Sequence, residues 1–273
     1  MNEKSIYAAP VKVTDHGECV FYHTMDVPGY GVMQGSWDLR GREDVYLGNV
    51  DFRGKRVLDA GPSSGFLSFH MEKKGAEVVS YDLSKDYSWD VVPLVNYDHK
   101  GFEARNKLLM QKVNNAYWLC HNAYKSKAKV AYGTIYGVPR EIGMVDVSVM
   151  GIILEHLRDP FLALQNVLRL TKETVIIAEI YPSPTIARRI LNRLHFPIEC
   201  LDVLDDPRSR FFPDARKSMQ GVWWYLWPEL LRKMIGVLGF EETVTTYHWQ
   251  KYQNRELRTY TIVGRRTRDH YQY

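Results

Sequence analysis

The clearest hydrophobic pattern in the chain runs over residues 56–82. RVLDA is a short apolar run that predicts a buried strand, and GPSSG reads as a turn. FLSFHMEKKG sets Phe66, Phe69 and either Met71 or His70 against Glu72, Lys73 and Lys74, an amphipathic helix, and AEVVSYDL predicts a second strand. Gly75 falls where a left-handed helix C-cap favours glycine. Strand, helix and strand in this order form a βαβ unit, the opening of a parallel sheet.

The alternation continues. Residues 102–121 read as a helix after a Trp- and Pro-containing loop at 87–93, and residues 129–133 as a third strand. An apolar strand at 144–150 leads into GIILEHLRDP, where Asp159 can cap a helix beginning at Pro160, its buried face expected to carry Phe161, Leu164 and Leu168. A fifth strand at 174–180 is followed by a helix at 228–238 with Leu230, Met234 and Leu238 on one stripe and Gly239 behind it. Residues 240–248 and 258–264 read as the last two strands. The expected fold is α/β: a Rossmann-like, doubly wound, seven-stranded sheet with an antiparallel last strand. Residues 51–273 form this domain. Residues 1–50 are expected as an N-terminal lid or substrate segment, and residues 182–226 as a substrate-covering insert after the fifth strand, because such segments usually cover the ligand-bearing end of the sheet. The closing RRTRDHYQY reads as a frayed basic tail.

Composition narrows the class. With 45% hydrophobic and 25% charged residues in 273, the chain is neither disordered nor fibrous. No apolar run reaches the roughly 18–20 residues of a membrane span, and MNEKSIYAAP lacks the apolar core of a secretory signal. Three cysteines, at 19, 120 and 200, are odd in number and far apart, which points to a reducing cytoplasm without disulfide frame or zinc motif. Thirty-six Lys and Arg against 32 Asp and Glu leave +4, too small and scattered an excess for a dedicated nucleic-acid-binding domain.

Candidate chemistry gathers at the first turn. Gly61 and Gly65 flank a tight turn at a helix N-terminus, where free backbone N–H groups let a ligand approach closely. Asp82 ends the second strand, placed to accept both hydroxyls of a ribose lying over that turn. The competing reading is an ordinary βα turn followed by a surface Asp. An NAD site is disfavoured because Ser63 stands where that fingerprint has its second glycine.

Val57 to Gly65 with Asp82 resemble the first motifs of class I S-adenosylmethionine-dependent methyltransferases, and VDVSVMGIILEHLRDP and IIAEIYP resemble that family's fourth and fifth strand regions. FYHTMDV, GSWDLRG, GFLSFHMEKKGAEVVSYDL, GFEARNKLL and MGIILEHLRDP, over about residues 21–182, further resemble the methyltransferases that form 5-methoxyuridine, or its carboxylated relative, at the tRNA wobble position. The resemblance implies S-adenosyl-L-methionine as cofactor and S-adenosyl-L-homocysteine as product. The cofactor would be held by Asp59, Gly61, Pro62, Ser63, Gly65, Phe66, Asp82, Leu83 and Gly151. Where the family commonly has an acid for the adenine amino group this chain has Thr134, with Ile135 to pack on the ring. Arg40 and Lys85 are the candidate cations if the cofactor carries a carboxylate.

Methyl transfer from a sulfonium is an in-line displacement, so the protein must position the nucleophile and, for a hydroxyl, remove its proton. His156 and Glu155, in LEHL after the fourth strand, are candidate bases, as is His23 of the N-terminal YHT. Each has a structural alternative, as a helix cap or packing residue. Tyr22, Trp37, Arg40, Glu179 and Tyr181 are candidate substrate contacts, with Arg40 the anion binder if it is not a surface ion pair. VWWYLW at 222–227 reads as core sooner than as a stacking platform, and Arg188, Arg189, Arg193, Arg208 and Arg210 as a solvated face sooner than a phosphate site. The expected activity is O-methylation of a small metabolite. The alternatives are a wobble-uridine methyl or carboxymethyl transferase acting on tRNA, and a catalytically silent nucleoside-binding assembly module.

Overall fold

The structure, a computed structural model, describes residues 5–95, 97–182, 209–214 and 221–269. Its main sheet begins where the apolar pattern is strongest. β4 (Arg56–Ala60), β5 (Glu77–Asp82) and β6 (Lys129–Tyr132) run parallel on one side of the sheet. β7 (Val145–Gly151) and β8 (Thr171–Ile180) extend it in parallel on the other side of β4. The hairpin of β11 (Glu242–Tyr252) and β12 (Arg255–Arg265) closes this side, β12 pairing antiparallel with β8. These are the seven expected strands. An eighth, β3 (Trp37–Asp38), adds two residues to the edge of β11, giving the order β3-β11-β12-β8-β7-β4-β5-β6.

Both faces of the parallel strands are covered, which is why they read as continuous apolar runs. Leu58 of β4, Met150 of β7 and Ile177 of β8 point into a core under α4 (Pro160–Leu168) and α5 (Pro228–Val237). Their strand neighbours Val57, Val149 and Ile176 point into a second core with Leu67 and Met71 of α2 (Phe66–Lys73). The carboxylate of Asp159 accepts the Leu162 N–H at 2.9 Å and Pro160 opens α4, as the local sequence required. Two stripes are rotated from expectation. Phe161 lies at the surface because the buried face of α4 runs through Pro160, Ala163, Leu164, Val167 and Leu168. In α5 the fully buried pair is Leu231 and Ile235, with Leu230, Met234 and Leu238 partly buried beside them.

The N-terminal segment joins these cores. β1 (Met25–Val27) and β2 (Gly31–Met33) form a hairpin whose Met25 and Val27 pack with Trp118, Leu119 and Cys120 of α3 (His99–Tyr124). Trp37, Leu39, Tyr46 and Leu47, the last two at the end of α1 (Glu43–Tyr46), belong to the core that holds Val57. The remaining strands, β9 (Ser209–Phe211) and β10 (Trp224–Leu226), make a small antiparallel pair. No helix among the described residues is long and apolar enough to cross a membrane.

Candidate active site

The strand order reverses between β4 and its neighbours β5 and β7, and a crevice opens at the carboxyl ends of parallel strands at such a point. The turn after β4 lies there. Gly61 and Gly65 have φ of 82° and 85°, values a side chain disfavours, and Ser63 between them is also left-handed at 53°. Gly65 is the N-cap of α2 and no side chain caps that helix. A Cβ on Gly65 would lie 2.5 Å from Phe69 and 2.9 Å from Tyr117, so the position is closed to side chains from below as well. Pro62 is buried, and Phe66, first in the helix, is half-buried.

Asp82 ties the end of β5 to this turn. One carboxylate oxygen accepts the Ser63 N–H at 3.0 Å and the other the Leu83 N–H at 2.7 Å. Burial pushes its pKa up to about 6, against the pull of those two donors. Beneath it Asp59 is fully enclosed. It accepts a 2.6 Å bond from Ser68, which sits 2.9 Å from Ser80, itself 2.8 Å from the Tyr117 hydroxyl. Desolvation raises Asp59 to about 7. This acid therefore braces the turn from inside the core. On the far side of β5, Gly133 N–H donates to the Asp82 carbonyl and Tyr81 hydroxyl to the Thr134 carbonyl, which starts the 135–137 turn with Ile135 buried in it.

After β7 the chain takes a strained path. Gly151 leaves room for the Tyr46 hydroxyl, 2.9 Å from where its Cβ would be, and Ile152 adopts φ 49°, a left-handed conformation costly for a β-branched residue. The next residues form a short turn over Leu154–His156. Glu179, near the end of β8 and 2% exposed, accepts the Leu154 N–H at 2.8 Å and holds this turn. Burial and the neighbouring Glu155 both raise its pKa. Glu155, 8% exposed, is likewise raised by burial, and His156 partly offsets this. His156 Nδ1 lies 2.5 Å from the Gly221 carbonyl and must donate to it, and Nε2 lies 3.5 Å from Glu155 Oε1.

Two segments distant in sequence roof this region. The His23 N–H donates to the Ser64 hydroxyl at 3.3 Å, and the His23 ring stacks on Phe66 with centroids 5.6 Å apart. Its Nδ1 is buried without a partner and burial lowers its pKa to about 3. Tyr22 packs edge-on to His23 and lies within electrostatic reach of Glu155 and Glu179. From the other side, Trp223 N–H donates to the Glu155 carbonyl at 2.8 Å and its indole N–H to the Asp90 carbonyl at 2.9 Å. The Asp90 carboxylate receives the Tyr136 hydroxyl and the Arg158 N–H. Of the 222–227 cluster, Trp223, Leu226 and Trp227 are buried as core.

Three candidate substrate contacts are engaged elsewhere. Trp37, 2% exposed, packs at a tilt against Tyr252 with ring centroids 4.8 Å apart within the core, because β3 pairs with β11 there. Arg40 spends its guanidinium on Asp38 at 2.8 Å and Asp26 at 3.1 Å, the ion-pair alternative to anion binding. Tyr181 is buried against Tyr247 and Tyr260, with the Arg258 guanidinium 4.9 Å from its ring. Arg188, Arg189, Arg193 and Arg208 lie outside the described residues, and Arg210 is exposed on β9. The Ser64, Tyr46, Asp90, Tyr136 and Trp223 contacts were not anticipated. They join residues up to 133 positions apart, and no local pattern marks them.

No family model matches the sequence, and no curated protein does. Solved structures match the fold. An S-adenosylmethionine-dependent methyltransferase from Methanosarcina mazei superposes with a TM-score of 0.51 at 14% identity, over 82% of this chain and 98% of that one. This is the class I methyltransferase fold. The N-terminal domain of EvdMO1, crystallised with S-adenosylhomocysteine and D-fucose, has a TM-score of 0.50 at 14% identity over 89% and 90% of the two chains. The methyltransferase fold thus places the Gly61–Gly65 turn and Asp82 at the carboxyl edge of the sheet, with the Glu155–His156 turn across the switch point from them.

Proposed function

We propose that this protein is an S-adenosylmethionine-dependent methyltransferase acting on a small metabolite at oxygen. The observation that carries the reading is the coupling of the left-handed turn to Asp82 through the Ser63 N–H. The residues fit such a cofactor. Each Asp82 oxygen accepts one backbone N–H and retains lone-pair capacity for a ribose hydroxyl. The α2 N-terminus offers uncapped N–H groups to a carboxylate, and Thr134 with Ile135 stands beside the end of β6 for the adenine. Bound there, the cofactor supplies an activated methyl group. His156, with Nδ1 committed to Gly221, presents Nε2 as the proton acceptor. The cover supports a small acceptor over tRNA: the described part of the 182–226 stretch turns Trp223 and Leu226 inward, as does Trp227 just after it, and the net charge is only +4.

Calorimetry with S-adenosylhomocysteine tests the cofactor, with heat and thermal stabilisation expected and none with NAD. The reverse result sinks the reading. Cofactor turnover with any acceptor excludes the silent module. Sub-micromolar, steeply salt-dependent binding of bulk tRNA, with methyl incorporation into the anticodon, overturns the small-metabolite assignment.

A further inference from the structure

The carboxyl ends of β7 and β8 hold acceptors and donors that the fold itself leaves unused. Glu155 is 8% exposed, its ionisable neighbours include Glu179 and His156, and His156 Nε2 at 3.5 Å is too far for a good hydrogen bond. Tyr46 is 2% exposed. Its hydroxyl sits over Gly151, within electrostatic reach of Glu155, Glu179, Tyr22 and Asp59, and no hydrogen bond from a described residue satisfies it. Glu179, by contrast, is spent on the backbone of the 154–156 turn. The carboxylate and the phenol thus keep their hydrogen-bonding capacity free for a ligand in a largely enclosed site.

Glu155 thus has two functional groups near it: His156 Nε2, 3.5 Å away, which accepts because Nδ1 carries the proton, and the Tyr46 O–H, within electrostatic reach, which donates, while the Glu155 carboxylate itself accepts. A carboxylate or phosphate would meet two acceptors with a single donor. An ammonium would leave the phenol unused, because it has no lone pair. A hydroxyl needs both kinds of partner. Building on the methyltransferase reading, we infer that Glu155, His156 and Tyr46 form the acceptor subsite and select an uncharged alcohol against anionic and ammonium acceptors. The hydroxyl oxygen takes the Tyr46 hydrogen bond while its own proton faces Glu155 and His156. As the O–C bond to the methyl forms, the C–S bond breaks with its electron pair left on sulfur, and the hydroxyl proton passes to His156 Nε2.

Two measurements test this. The protein is incubated with a metabolite extract and deuterated-methyl cofactor, and the labelled product is identified by mass spectrometry. A labelled methyl ether is expected, with yield reduced at least tenfold in both Tyr46→Phe and Glu155→Gln while calorimetry shows S-adenosylhomocysteine affinity within threefold of wild type. A labelled amine, methyl ester or phosphate ester overturns the inference. So does a methyl ether whose yield neither variant alters, or the absence of labelled product from protein that binds S-adenosylhomocysteine. Failure to bind S-adenosylhomocysteine would instead defeat the methyltransferase reading. Separately, 15N NMR of the S-adenosylhomocysteine complex at pH 8.5 should show His156 protonated on Nδ1. Protonation on Nε2 excludes the proposed base. Should Tyr46→Phe fail to fold, the Glu155→Gln yield and the tautomer decide.

Discussion

Replacing Asp82 by Asn separates the two tasks of this carboxylate. Its oxygens accept the Ser63 N–H at 3.0 Å and the Leu83 N–H at 2.7 Å, and an amide has one oxygen for those two donors. One backbone N–H then faces an NH2 group, which costs about 1–3 kcal/mol of folding stability. Loss of the charged acceptor for the ribose costs about 1.5–3 kcal/mol of cofactor affinity, roughly a 10- to 150-fold rise in Kd. The wild-type pKa of about 6 adds a second signature. Ribose hydroxyls donate best to the ionised form, so affinity should rise with pH up to about 6 and level off above it, whereas Asp82→Asn should lack that rise. Calorimetry with S-adenosylhomocysteine from pH 5 to 8, alongside thermal melts to confirm folding, reads both effects. A folded Asp82→Asn protein that binds within threefold of wild type at pH 7.5, with the same pH dependence, would refute the assignment.

Asp59, raised to about 7 from its ordinary 3.8, binds a proton in the folded state that the unfolded chain has released. Its contribution is complete below the unfolded pKa and is lost as pH rises toward 7, so between about pH 5 and 8 it should remove roughly 3 kcal/mol. Urea titrations should show this slope in wild type and a flatter one in Asp59→Asn. Gly65→Ala places a Cβ 2.5 Å from Phe69 at φ 85° and should cost more than about 2 kcal/mol by chemical denaturation, through strain and overpacking together. Asp159→Ala removes the 2.9 Å cap of α4 and should cost about 1 kcal/mol in the same assay.

The parallel strands, their order along the chain, the Asp159 cap and the glycine turn paired with Asp82 were legible in the sequence because each rests on neighbours within one or two elements. Periodicity of two or 3.6 residues, cap chemistry and positive φ are local constraints, and they leave local marks. The exact buried stripe of a helix is less local. Phe161 and Leu230 were displaced by one position because the contact direction of α4 and α5 is set by the sheet beneath them. The fates of Trp37 and Arg40 were decided by tertiary structure alone. β3 joins the edge of β11, more than 200 residues away, which buries Trp37, and the β1 hairpin brings Asp26 to the guanidinium that Asp38 already holds. The same holds for the chemistry across the crevice. LEHL marks His156 and Glu155 as candidates, but the tautomer of His156 is fixed by Gly221, and the packing of Tyr46 over Gly151 brings its hydroxyl within electrostatic reach of Glu155. Such contacts follow from how whole elements stack, because a hydrogen bond between residues far apart in the chain imposes no pattern on the sequence around either of them.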